Sequence, residues 1–476
     1  MKEKGLLTNL IWKFAERVSA QLVSLIVSVV LARLLLPEDY GLISMVTVFI
    51  TIADVFVTSG FGAALIQKKD ADETDFSSVF YANLGLSAVL YGILFVAAKP
   101  IAAFYGYEIL TPVLRVMGLR LIAAAINSVQ HAYVSKNMQF RKYFYSTLAG
   151  TVVSGAVGLA LAWAGLGIWA LVAQYMVNTW VNTGVLFVTV AWRPRLLFSA
   201  SRLKRLLGYG WKILFEGVSA TVVAQMRNLA IGKVYTSQDL AYYTKGQQFP
   251  NLLMNNVTVA ISSVLFPAMS NVNDDPEKVK AILRRSVQLS SFLLFPALAG
   301  MALVARPFIS LVLTDKWLEA VPFMQLFCVY LALQVGMYPR HEAMKALGRS
   351  DVYMYEHMAC RVVDVALLLA VLRRGTVAIL LSSIASSVVL VCILGYTSKR
   401  FTFYSIREQL WDVRNSVLLT CAMAAVVWGL SWLGLHPYLT MAAQIVAGGG
   451  SYILLAWLFR TSEYLMIVSF VKKRRS

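Results

Sequence analysis

Polar and charged residues recur at helical spacing inside apolar stretches of this chain, where a charge costs several kcal/mol unless it meets water or another charge. One stretch carries Arg17, Gln21, Ser24 and Ser28, with Glu16 adjacent; the next carries Ser44, Thr47, Thr51, Asp54 and Thr58 at steps of three and four. Farther on, Glu216 and Ser219 share a face with Arg227 two turns beyond, and Lys245, Gln248, Asn255 and Ser262 form another stripe. Such stripes suit a central polar cavity. Ser and Thr alone would serve equally well as close-packing residues between membrane helices. The charged members Arg17, Asp54, Glu216, Arg227 and Lys245 point to cavity lining, because packing needs no charge there.

A second kind of chemistry is written in Glu356, His357, Arg361 and Asp364, of which the last three share a face at i, i+4 and i+7. His and carboxylates titrate near physiological pH and can relay protons; an Arg361–Asp364 salt bridge is the structural alternative. Arg340-His341-Glu342 and the set Arg115, Arg120 and His131 are two further polar clusters. Other motifs fail. His341-Glu342-Ala343-Met344-Lys345 starts like a zinc-protease helix but has Lys where a second His is required. No Gly-x4-Gly-Lys occurs, and Cys328, Cys360, Cys392 and Cys421 lie in apolar stretches without CxxC spacing, so neither a P-loop nor a zinc or disulfide framework is expected.

The elements that must position these residues are membrane helices. The chain is 59% hydrophobic and only 14% charged, with mean hydropathy +0.67, against about 25% charge in soluble domains. A bilayer core needs about 20 apolar residues per helix. Read so, the spans fall near 10–36, 41–66, 78–99, 112–135, 144–164 and 168–191, then 209–234, 241–270, 286–305, 319–347, 352–372 and 376–397, with a last pair near 415–434 and 438–460. The expectation is an all-α polytopic membrane protein of about 14 helices, its first span a signal anchor rather than a cleaved peptide. Net charge +19 is strung between spans, whereas a nucleic-acid domain would gather it on one face. Lys and Arg crowd one set of loops, including 192–208 and the tail Lys472-Lys473-Arg474-Arg475. By the positive-inside rule both termini are cytoplasmic.

The chain also repeats itself at an offset of 200: Glu16-Arg17-Val18-Ser19-Ala20 answers Glu216-Gly217-Val218-Ser219-Ala220, and Arg33 and Asp39 answer Lys233 and Asp239. A period this long in so apolar a chain means duplicated bundles, as in transporters whose two halves move against each other. The expected organisation is a six-helix lobe at 1–191, a basic cytoplasmic linker at 192–208, a second six-helix lobe at 209–397, two extra spans within 398–460 and a basic tail at 461–476 that meets anionic headgroups. No loop is long enough for a soluble catalytic domain, so a polymerase or ligase enzyme is not expected.

Several segments resemble the polysaccharide-export branch of the multidrug/oligosaccharidyl-lipid/polysaccharide exporter superfamily. They include Leu31-Ala32-Arg33-Leu34-Leu35-Leu36-Pro37-Glu38-Asp39-Tyr40-Gly41, the run from Gly60 to Asp70, Gly165-Leu166-Gly167-Ile168-Trp169, Asn228-Leu229-Ala230-Ile231-Gly232-Lys233 and Leu265-Phe266-Pro267-Ala268. The resemblance covers essentially the whole chain and is to the Wzx-type repeat-unit flippases. It implies two six-helix lobes, no cofactor beyond a coupling H+ or Na+, and an undecaprenyl-diphosphate-linked oligosaccharide as substrate, moved across the inner membrane by alternating access. Membrane lipids and a polysaccharide polymerase are the implied partners, and nucleic acid is not one. Arg guanidinium suits diphosphate oxygens, which makes Arg17 the first substrate candidate. Arg33 with Asp39, and Lys233 with Asp239, are gate candidates near the ends of their spans. Arg227 stands where many relatives carry an acid, which puts the usual ion coupling in question. A lipid II flippase or a drug/cation antiporter of the same superfamily are the alternatives; the basic excess among the cavity candidates favours an anionic cargo.

Overall fold

The computed structural model describes residues 3–59, 61–68, 70–272, 275–433 and 436–473, with side chains described from Ser19 onward apart from scattered positions. The side chains of Arg17 and of Lys472 to Arg475 therefore lie outside the described part of the structure. The chain is all-helical and divides into two compact units, Met1–Ala241 and Tyr242–Ser476.

The first unit contains α1 (Glu3–Leu34), α2 (Pro37–Thr58), the short α3 (Phe61–Gln67), α4 (Glu73–Tyr105), α5 (Leu110–Gly118), α6 (Arg120–Lys136), α7 (Phe140–Trp163), α8 (Ile168–Thr189) and α9 (Ala200–Val234). Then α10 (Ser237–Ser270) leads into the second unit, followed by α11 (Pro276–Leu303), α12 (Ala305–Leu313), α13 (Val321–Gln334), α14 (Met337–Ala346), α15 (Ser350–Val371), α16 (Thr376–Phe401), α17 (Ile406–Leu430), α18 (Pro437–Leu458) and α19 (Ser462–Lys473). Among the described residues nine segments are long and apolar enough to cross a bilayer: α2, α4, α5–α6 together, α7, α11, the run Asp315–Ala346, α16, α17 and α18. The other expected spans fall on α1, α8, α9, α10 and α15, helices of 22 to 35 residues. What sets four of these apart is polarity: α8 carries Gln174, Asn178 and Asn182, α9 carries Arg227 and Asn228, α10 carries Lys245 and Asn255, and α15 carries Glu356, Arg361 and Asp364. Within the tail, the twelve residues after Thr461 form α19, whose Tyr464 packs against the α11–α17–α18 cluster of Phe292, Met423 and Tyr452.

In the first unit, α1 lies along α7, α7 along α8, and α9 against α2, α3 and α4. One cluster joins Phe61 and Leu65 of α3, Phe76 and Phe80 of α4, Val129 of α6, Leu186 of α8, and Trp192 and Leu206 of the linker region. Trp192 meets Phe76 at 5.7 Å and Phe80 at 6.1 Å between ring centres. Two backbone amides then pin the linker to α4: Arg195 N donates to Ser77 Oγ at 3.1 Å and Ser199 N to Ser78 Oγ at 2.9 Å. Burying aromatic area and satisfying the loop's amides together hold this segment against its own unit. Residues 200–208 are already the first turns of α9.

The second unit packs α11 against α13 and α17, α15 against α16, and α17 against α18. Gly246 lets α10 come close to α13: a Cβ there would lie 2.5 Å from Phe323 Cβ and 2.8 Å from Met324 N.

Candidate functional site

Among the described residues each unit holds a sizeable polar cavity, and in both cases the polar residues come from helical faces that packing brings together. In the first unit, Thr51, Asp54 and Thr58 on α2 face Arg120, Asn127 and His131 on α6, with Thr179 of α8 and Tyr143 of α7 completing the wall around about 580 Å³. The α6 face runs 120, 124, 127, 131 and 135, the i, i+4, i+7 register of one helix stripe. Arg120 Nε donates to Thr179 Oγ1 at 3.0 Å, and its guanidinium lies 5.3 Å from the Tyr175 ring centre, a cation–π distance. These contacts fix a permanent cation at the cavity wall. His131 stacks on Tyr143 at 4.4 Å, and the Tyr143 hydroxyl donates to the His131 carbonyl. Asn127 Nδ2 donates to Asn182 Oδ1 at 3.1 Å, so α6 and α8 share an amide ladder beside the cavity. Asp54 stands opposite Arg120 without a salt bridge or hydrogen bond to its carboxylate among the described residues, and its interaction with Arg120 is through space only.

The second cavity, about 490 Å³, is lined by Asn255, Thr258 and Ser262 of α10, by His341, Glu342 and Lys345 of α14, by His357, Arg361 and Asp364 of α15, and by Ser386 of α16. Two histidines, two carboxylates, a lysine and an arginine thus share one space. Asp364 Oδ1 accepts from Ser386 Oγ at 2.5 Å, the His341 and His357 rings lie 4.6 Å apart, and Lys345 Nζ donates to Glu342 Oε1 at 3.2 Å.

The sequence candidates separate clearly. Asp54 enters the first cavity; Asn255, His357, Arg361 and Asp364 enter the second. Glu356 does not share that wall: it is buried on another side of α15, in the field of Arg340, which donates to Gln409 Oε1 at 3.2 Å. Gln21 is half-buried on α1, Glu216 exposed and Arg227 half-buried on α9, and none of them lines either cavity. Lys245 is buried, 5.7 Å from the Trp317 ring centre and 3.1 Å from Gln248 Oε1, also away from both. Of the gate candidates, Asp39 and Asp239 accept from the backbone amides of Leu36 and Thr236, each at 3.1 Å, at the starts of α2 and α10. Lys233 donates to the Phe104 carbonyl in the last turn of α4 and lies 4.3 Å from the Phe104 ring centre. Arg33 is exposed. Of the cluster Arg115, Arg120 and His131, the last two line the first cavity and Arg115 does not; Asn127 and Thr179 are the cavity residues that no sequence pattern singled out, although Asn127 shares the register 120–127–131.

Outside the spans, electrostatics concentrate at the α3–α4 turn. Arg202 Nη1 contacts both Asp72 carboxylate oxygens at 2.6 and 2.5 Å, and this pairing, with the Asp75 amide, holds the Asp72 carboxyl at about 2, below its usual range.

The chain is similar in sequence and in fold to known proteins. The chain is 26% identical to the succinoglycan biosynthesis transport protein ExoT of Rhizobium meliloti over 308 residues, 65% of this chain and 62% of that one, so the match spans less than two thirds of that relative. It is 23% identical to the teichuronic acid biosynthesis protein TuaB of Bacillus subtilis over 416 residues, 85% of each chain. A solved structure of the lipid II flippase MurJ in an inward closed conformation superposes with a TM-score of 0.76 at 15% identity, covering 94% of this chain and 98% of that one. That likeness establishes the fold, a polytopic helical membrane protein. Residues 30–322 match the family described as Polysaccharide biosynthesis protein, and the chain belongs to that family.

Proposed function

We propose that this protein is a flippase that moves an undecaprenyl-diphosphate-linked oligosaccharide repeat unit across the bacterial inner membrane by alternating access, driven by an ion gradient, with both termini cytoplasmic. The observation that carries the reading is Arg120, a guanidinium held by Thr179 and Tyr175 at the wall of a polar cavity inside apolar helices. A diphosphate must cross hydrocarbon with its charge, and a fixed cation in a cavity lowers that barrier. The amides and hydroxyls around it suit sugars. A volume near 580 Å³ accommodates the polar head of such a lipid rather than a whole long chain, while the polyprenyl tail stays in lipid. The second cavity, rich in titratable groups, supports a coupling role for His357, Arg361 and Asp364. The similarity to ExoT, a succinoglycan biosynthesis transport protein, and to TuaB, a teichuronic acid biosynthesis protein, supports this cargo class.

The test is mass spectrometry of undecaprenyl-linked glycans in cells lacking the protein. One complete repeat unit should accumulate, and wild type but not Arg120→Ala should clear it. An unchanged lipid pool, in a strain without a substitute flippase, would defeat the reading and bring the drug-antiporter alternative forward.

A further inference from the structure

Where α3 ends and α9 begins, a separate concavity of about 260 Å³ is lined by Gln67, Lys68, Arg202, Arg205, Ala64 and Leu206. Its charges do not balance. Lys68 is paired with the fully buried Asp75, and Arg202 with Asp72, so two cations meet two carboxylates. Arg205 is left over: it is exposed, faces the concavity, and has neither hydrogen bond nor ion pair among the described residues. Lys204 beside it is likewise exposed and without such a contact. These cations sit in the first two turns of α9, whose first turn contains no acid. Positive side chains there oppose the helix macrodipole, an arrangement an added anion would relieve. The pocket's walls are pre-set, since Lys136 Nζ donates to the Lys68 carbonyl at 2.7 Å and Ser199 N is fixed on Ser78.

We propose that this concavity is a phosphoryl-binding site, distinct from the first cavity, in which Arg205 and the Gln67 amide contact phosphate oxygens while the paired Lys68 and Arg202 supply the surrounding positive field. The ligand chemistry is a phosphate or diphosphate at the membrane surface. Its source is either a diphosphate head presented before translocation or the headgroup of an anionic phospholipid. The site stands on the charge count and the cavity, and survives whether or not the flippase reading does.

Purified full-length protein in phosphatidylcholine nanodiscs is titrated with inorganic pyrophosphate, and in a second arm reconstituted with phosphatidylglycerol and examined by native mass spectrometry for retained lipid. Arg205→Ala is compared with Arg374→Ala, which removes one exposed charge at another place in the chain; Arg205→Lys tests whether charge alone suffices. The expected result is a roughly tenfold weaker pyrophosphate affinity for Arg205→Ala with Arg374→Ala unchanged, the scale of one charge-assisted hydrogen bond. The same selective loss confined to the phosphatidylglycerol arm assigns the site to phospholipid. Equal losses in both alanine variants, or no binding in either arm, overturn the proposal.

Discussion

Asp39 and Asp239, 200 positions apart, perform the same structural act: the Oδ2 of each accepts from the backbone amide three residues earlier, Leu36 N and Thr236 N, at 3.1 Å. Each carboxylate sits in the first turn of its helix, where it satisfies an orphan amide and complements the macrodipole. The chain therefore uses one helix-start device twice, and the 200-residue offset between the two acids is explained locally before any gating role is invoked.

This relationship predicts comparable penalties, somewhat larger at Asp239, whose Oδ2 also accepts from Thr236 Oγ1 at 2.6 Å. Asp39→Ala and Asp239→Ala should each destabilise by about 1 kcal/mol, read as similar drops in thermal unfolding temperature. A large loss of transport at unchanged stability for either variant would instead reveal a gate.

Arg120 makes a sharper demand. Arg120→Ala should lower clearance of the lipid-linked intermediate roughly tenfold or more with little change in protein level, because the residue lines a cavity rather than a dry core. Thr179→Val, which removes the partner of its 3.0 Å hydrogen bond, should fall between the two.

In the second unit Asp412 is nearly fully buried and accepts from Arg284 at 2.8 and 2.7 Å, Gln288 at 3.2 Å and Tyr404 at 2.8 Å. It ties α17 to α11. Asp412→Ala would strand those donors, so a loss of about 1–3 kcal/mol is expected, measured by chemical or thermal unfolding in detergent. Asp412→Asn, which keeps some acceptor capacity, should lose less.

The Asp72–Arg202 pair predicts a pH dependence. Asp72 titrates at about 2 when folded, against about 3.9 in an unfolded chain. A lowered carboxyl pKa contributes stability that is present above pH about 4 and disappears as pH falls toward 2. The effect is small, since Asp72 is half-exposed and screened. Unfolding temperatures at pH 5, 4 and 3 should therefore fall more steeply for wild type than for Asp72→Asn.

A last test concerns coupling. Asp364→Asn, which keeps a partner for Ser386, should leave the fold intact but abolish the dependence of transport on the driving ion gradient. Unaltered ion dependence would remove Asp364 from the coupling path.

How the molecule can be read from its residues varies with the range of the interaction. Apolar runs of bilayer length, the caps at Asp39 and Asp239, and the shared face of His357, Arg361 and Asp364 are local properties of one helix, so the amino-acid order alone determined them. The register of a single helix says which residues share a face but never which other helix that face will meet. Only packing decided that Asp54 of α2 looks across at Arg120 of α6, that His341 of α14 joins His357 of α15, and that Glu356, one residue from His357, is turned away with Arg340. Likewise Lys245, a charge in an apolar helix and so a natural cavity candidate, is instead covered by Trp317 because α10 packs tightly on α13 through Gly246. The physical reason is that a helix buries its stripe against whatever neighbour fits sterically, and that fit depends on residues far apart in the chain.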